Sequence, residues 1–115
     1  MAIPDFQSLM LPLMRMLAGG REYSVQETVD LLALQYQLTE EEKSQLLPSG
    51  RSPIFYNRIA WAKAHLKRAG LIERPRRGYY KISEMGEKVL ESSPAVINLR
   101  FLKQFPAYVA IRERD

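Results

Sequence analysis

Between Ser52 and Ile82 one helix runs almost directly into one hairpin, and that succession limits the chain to few folds. Ser52-Pro53 reads as a helix start, with serine as N-cap and proline in the first helical position. The helix runs to Ala69 and stops at Gly70. At a helical step of about 100° per residue, Phe55, Ile59, Ala62, Leu66 and Ala69 gather on one face, which is therefore core. Roughly opposite lie Tyr56, Asn57, Ala60, Lys63, Ala64, Lys67 and Arg68, with Ile54, Arg58, Trp61 and His65 on the flank between. Residues 71–74 and 79–82 read as strands, with Pro75-Arg76-Arg77-Gly78 as the turn. Strand alternation sends Tyr80 and Ile82 toward the core and leaves Tyr79 and Lys81 facing out.

Upstream, Asp5 is placed to cap a helix over Phe6–Leu17, which Ala18-Gly19-Gly20 ends. Pro12 removes a backbone donor inside that segment and predicts a kink or a fresh helical start. Arg21-Glu22-Tyr23 suits a very short strand. Ser24-Val25-Gln26-Glu27 has the capping-box pattern, and Val25, Val29, Leu32 and Tyr36 follow at helical spacing. Thr39-Glu40-Glu41-Glu42 is a second box, opening a short helix that ends by Pro48-Ser49-Gly50. Downstream, Ser83 opens a short helix carrying Met85, Val89 and Leu90, and Ser92-Ser93-Pro94 breaks it. A last amphipathic segment carries Val96, Ile97, Leu99, Phe101, Leu102 and Phe105. The expected fold is mainly α with a small β-hairpin (α+β), a winged helix-turn-helix. It has an extra short helix before the 52–69 helix, and C-terminal helices. Residues 1–91 are expected to form that domain and 92–115 a helical extension or linker.

Charge is distributed unevenly along these elements. Residues 1–50 hold three cations and seven acids, a net of −4; residues 51–81 hold nine cations and one acid, a net of +8; the remainder cancels. A local basic field of this kind attracts a polyanion. The helix face can enter a DNA major groove, where Ala60 and Ala64 leave it thin. The expected contacts are Arg51, Ser52, Tyr56, Asn57, Lys63, Lys67 and Arg68 from the helix and its start. From the hairpin they are Arg74, Arg76, Arg77, Tyr79 and Lys81. The same face could instead dock an acidic protein partner. RNA is the weaker alternative, because few aromatics are expected on an exposed sheet.

Catalysis is not expected. With no cysteine and a single histidine, His65, thiolate zinc sites are excluded and a serine triad has one imidazole to recruit. No serine sits in a nucleophile motif and no glycine-rich phosphate loop appears. Glu41-Glu42-Lys43 has a nuclease-like E-x-K spacing, but an acidic helix start already accounts for the glutamates. No cofactor or metal is expected. The length of 115 residues fits one domain, and no apolar run approaches the roughly 18 residues of a membrane span. No signal peptide is read at the N-terminus, so the expected setting is cytoplasmic and nucleoid-associated.

Several stretches carry a family resemblance. They are Ile3-Pro4-Asp5-Phe6-Gln7 with Met10-Leu11-Pro12, Thr39-Glu40-Glu41-Glu42, and Leu46-Leu47-Pro48-Ser49-Gly50-Arg51. Phe55-Tyr56-Asn57-Arg58, Trp61-Ala62, Leu66-Lys67-Arg68-Ala69-Gly70-Leu71, Arg76-Arg77-Gly78 and Asn98-Leu99-Arg100-Phe101-Leu102 continue it. On these the chain resembles the N-terminal domain of Mrr-type restriction endonucleases, which act on modified DNA. The resemblance implies a winged helix that delivers double-stranded DNA to a C-terminal nuclease domain, with 52–69 as recognition helix and 71–82 as wing. It implies that cleavage belongs to that other domain, not to these 115 residues. Residues 94–105 are then a linker helix, a lid on the core or a homodimer contact, and an exposed Phe101 and Phe105 would favour self-association.

Overall fold

The computed structural model describes residues 3–114, with side chains to Ala110. Its centre is α1 (Phe6–Leu17), which buries Leu9, Met10, Leu13, Met14 and Leu17 completely. The Asp5 carboxylate accepts from the Ser8 amide at 2.8 Å, which fixes the helix start and holds that carboxyl below its usual range. Pro12 lies inside one unbroken helix rather than dividing it in two.

The chain then turns through Gly19 and Gly20 into β1 (Tyr23–Ser24) and α2 (Val25–Gln35). Both expected capping boxes form. Ser24 and Glu27 exchange side-chain-to-amide bonds at the start of α2, and Thr39 and Glu42 do the same at α3 (Glu40–Ser44).

The long helix α4 (Ile54–Arg68) starts one residue later than the sequence suggests. Its N-cap is Pro53, in extended conformation, and no side chain caps it. The cause is an antiparallel pairing just before the helix. Leu46 bridges Pro53, the Leu47 amide donates to the Ser52 carbonyl, and the Ile54 amide donates to Gln45. The Ser52 carbonyl is thus tied to Leu47, and its hydroxyl donates to the Pro53 carbonyl instead of serving as N-cap.

The hairpin comprises β2 (Ile72–Arg76) and β3 (Tyr79–Ile82), and the sheet order is β1-β3-β2. The tip is tighter than expected, because β2 runs on through Pro75 to Arg76. That proline is tolerated because β2 is an edge strand, and the register shifts between Glu73 and Arg76. Gly78 turns the chain at φ +82. The Val25 amide donates to the Gly78 carbonyl at 3.0 Å, so the tip is bonded to the first residue of α2. The molecule is an α+β fold of helices around a small antiparallel sheet.

After α5 (Glu84–Glu91), two further helices close the back of the core, α6 (Leu99–Leu102) and α7 (Pro106–Arg114). Ile97, Leu102 and Tyr108 are fully buried in the same core as α1 and α4. Phe101 and Phe105 are half-buried against the core, with ring centroids 5.8 Å apart, which fits the lid among the alternatives for this segment. No helix among the described residues is long and apolar enough to cross a membrane.

Candidate nucleic-acid interface

Helix α4 presents its predicted core face inward: Phe55, Ile59, Ala62, Leu66 and Ala69 are buried. The buried arc is wider than the apolar stripe, however. Lys63 and His65 sit roughly 80° to either side of its centre at helical spacing, and both are buried. α2 and β3 cover the Lys63 flank, while α1 and α7 cover the His65 flank.

His65 stacks against Phe6 and Trp61, with centroids at 5.5 and 6.0 Å, and its Nδ1 is 3.0 Å from the Tyr108 hydroxyl. The single histidine therefore serves packing rather than an open flank. Arg58 also turns inward, donating to the carbonyls of Ile3 (2.6 Å) and Pro4 (3.2 Å). Two of the nine cations in the basic third are thus not outward-facing charges.

Lys63 corrects the sequence reading most. It was expected on the outer face but is 3% exposed. Its ammonium donates to Thr28 Oγ1 at 2.7 Å and lies 4.6 Å from the centroid of the Tyr80 ring. Thr28 is oriented for this, because its own hydroxyl donates to the Val25 carbonyl at 2.6 Å. Among the described residues no carboxylate pairs with Lys63, and burial pushes its pKa down to about 8. Between pH 8 and the ordinary value of 10.5 the unfolded chain binds the extra proton, so stability rises with pH in that window. Urea unfolding at pH 7.5 and 10 should show wild type gaining up to about 3 kcal/mol relative to Lys63→Met. Equal pH dependence of the two proteins would contradict the burial.

The remaining expected residues form the outward surface. Arg51, Tyr56, Lys67, Arg68, Arg74, Arg76 and Arg77 are exposed, while Ser52, Asn57, Tyr79 and Lys81 are half-buried. Among the described residues, Arg51, Lys67, Arg68, Arg74 and Arg77 have no ion-pair partner. Lys67 and Arg68 line a shallow groove with Ala60, Ala64, Lys63 and Tyr80, so helix and hairpin share one surface. The two alanines form its bare floor.

Two features of the surface escape a reading of residue types. Tyr80, assigned by alternation to the core, is half-buried and lines the groove. Arg76 at the hairpin tip donates to Glu22 at 2.8 Å and stacks on the Tyr79 ring at 3.7 Å. The signal for Tyr80 was its position next to a basic helix face. No local sequence signal links Glu22 to Arg76, 54 residues away.

Against known families, the Mrr N-terminal domain matches residues 6–92. No curated protein and no solved structure matches the chain. The match spans the elements from α1 through α5, and so includes the groove and the hairpin.

Proposed function

Because the chain belongs to the Mrr N-terminal domain family, we propose that it is a winged-helix module that binds double-stranded DNA and performs no catalysis itself. α4 is the recognition helix and the β2–β3 hairpin is the wing. The observation that carries this reading is the common surface of Lys67, Arg68, Ala60 and Ala64 beside the hairpin. A thin helix face admits close approach to base edges, while unpaired cations beside it neutralise phosphates. Tyr56 and Asn57, in the first turn of α4, are the side chains this reading assigns to bases. Arg51, Arg74 and Arg77 are the phosphate contacts outside the helix. The family match supports a place in a restriction system, with modified DNA as the substrate to test.

The test is fluorescence anisotropy with a short random duplex, methylated and unmethylated, over a salt series, with heparin as competitor. Log affinity should fall against log salt by about 0.9 per phosphate neutralised, and duplex should outcompete heparin. Absence of binding at low salt, or equal preference for heparin, would overturn the reading in favour of an acidic protein partner or simple ion exchange.

The Glu22–Arg76 pair makes a further expectation. Arg76 is held by an internal carboxylate at a fully solvated site, so phosphate must compete with Glu22. Glu22→Gln should strengthen duplex binding about two- to threefold at low salt, and the gain should fade as salt screens the pair. An unchanged affinity at low salt would mean that Arg76 stays with Tyr79 and takes no part.

A further inference from the structure

A small pocket lies between α2, α4 and β3, beside the groove. Val25, Val29, Ile59 and Ala60 supply apolar wall, Tyr56 and Tyr80 supply two rings, and Lys63 supplies the one charge. That charge lacks an anion. Of the three ammonium donors, one goes to Thr28 Oγ1 and the face of Tyr80 lies 4.6 Å away. No described carboxylate approaches. An ammonium buried without a counter-charge weakens the fold, and a methionine of similar length would fill the same space without that cost. A perturbed, buried ionisable group in a cleft is a candidate functional position.

Val25, the first residue of α2, also lines the pocket, but that helix start is already served: the Val25 amide donates to the Gly78 carbonyl, and Ser24 and Glu27 complete the capping box. The charge of the pocket therefore rests on Lys63. The charged and titratable groups nearby are few. On α4 they are Tyr56 and Lys67, and on β3 Tyr80 and Lys81. On α2, Glu27 is engaged by Arg21 and the Ser24 amide, and Asp30 accepts from Gln26. Neither carboxylate bonds to Lys63, which is the one charged side chain lining the pocket.

We propose that this pocket is an oxyanion site with the Lys63 ammonium at its base, and that the anion it takes is a backbone phosphate of the bound duplex. The assignment of the anion rests on the DNA-binding reading; the oxyanion chemistry does not. The pocket opens beside the surface formed by Lys67 and Arg68, since Lys63, Ala60 and Tyr80 line both depressions. A phosphate drawn there meets a desolvated cation, which interacts more strongly than a solvated surface lysine. Binding therefore fixes a proton on Lys63, and duplex affinity falls as pH rises through about 8.

The experiment compares wild type, Lys63→Met and Lys67→Gln by anisotropy with the labelled duplex at pH 7 and pH 9 over a salt series. Urea unfolding checks that Lys63→Met remains folded. Lys63→Met should bind about tenfold more weakly at pH 7, with a salt slope shallower by about 0.9. Wild type should converge on it by pH 9, while Lys67→Gln keeps the wild-type pH dependence. Wild-type affinity, slope and pH profile in Lys63→Met, with Lys67→Gln weakened, overturns the phosphate site and leaves DNA binding intact. If wild type does not bind the duplex at all, the DNA reading fails, and a titration with inorganic phosphate decides the site. A rise in the Lys63 pKa followed by NMR of its side chain keeps the pocket as an oxyanion site; no rise overturns it.

Discussion

Gly86→Ala should cost at least about 3 kcal/mol of unfolding free energy, the largest loss expected from adding one methyl group to this fold. Gly86 lies in the first turn of α5 and is buried against the base of the hairpin. A Cβ there would sit 2.6 Å from Ile82 Cγ1, and closer still to the Leu71 carbonyl oxygen. A side chain can rotate away, but the carbonyl cannot, because Leu71 O accepts the Ser83 amide at 3.0 Å. Ser83 adds a second tie, capping the Gly86 amide and donating to the Gly70 carbonyl. The helix must therefore move off the hairpin as a unit. Urea denaturation of the purified variant measures this directly. A loss below about 1 kcal/mol would mean that α5 docks less closely than described.

Reversing Lys67 and Arg68 together should reduce duplex affinity at least about 100-fold at moderate salt and flatten the salt slope by about 1.8. Both are exposed and without ion-pair partners among the described residues, so neither reversal breaks an ion pair, although both place an acid in the last turn of α4 at a small cost in stability. Both also line the groove beside the hairpin. Reversing Arg100 and Lys103 together, both exposed and outside the basic third, changes net charge by the same amount and provides the control for net charge alone. Similar losses for the control and the double reversal would show that binding senses overall charge and not this surface. The melting temperature should stay within a few degrees of wild type, separating lost contacts from lost structure.

Local chemistry made most of the architecture legible. Ser24 and Thr39 each sit three residues before a glutamate, and both boxes form because they need nothing beyond their own turn. The apolar stripe of α4 fixed its inward face, since burying Phe55 and Leu66 leaves one orientation. Long-range partners were less legible. Ser52 has the right type for an N-cap, but the Leu46–Pro53 bridge moves the cap position to Pro53. α7 falls within the helical extension expected over 92–115, but its start was not legible because Phe105 is no capping residue, although Pro106 occupies a favoured first helical position and Tyr108 anchors the helix in the core. The candidate surface divides the same way. Lys67, Arg68 and Arg77 are exposed as their type suggests, whereas Lys63 and Arg58 turn inward toward groups supplied by distant segments, Thr28 and Ile3. Residue type predicts solvation when nothing else approaches; it says nothing about which remote element will cover a helix flank.

The bond from the Val25 amide to the Gly78 carbonyl gives the hairpin a mechanical character. Arg76 adds a weaker, solvent-exposed tie to Glu22, just before β1. The position of the hairpin tip is thus largely set when the chain folds, and little conformational freedom remains to be lost on docking. A partner that meets hairpin and recognition helix at once meets a gauge of fixed width. If that partner is the duplex proposed above, the adjustment falls to the DNA, and steps that bend or widen easily are favoured at positions no side chain touches.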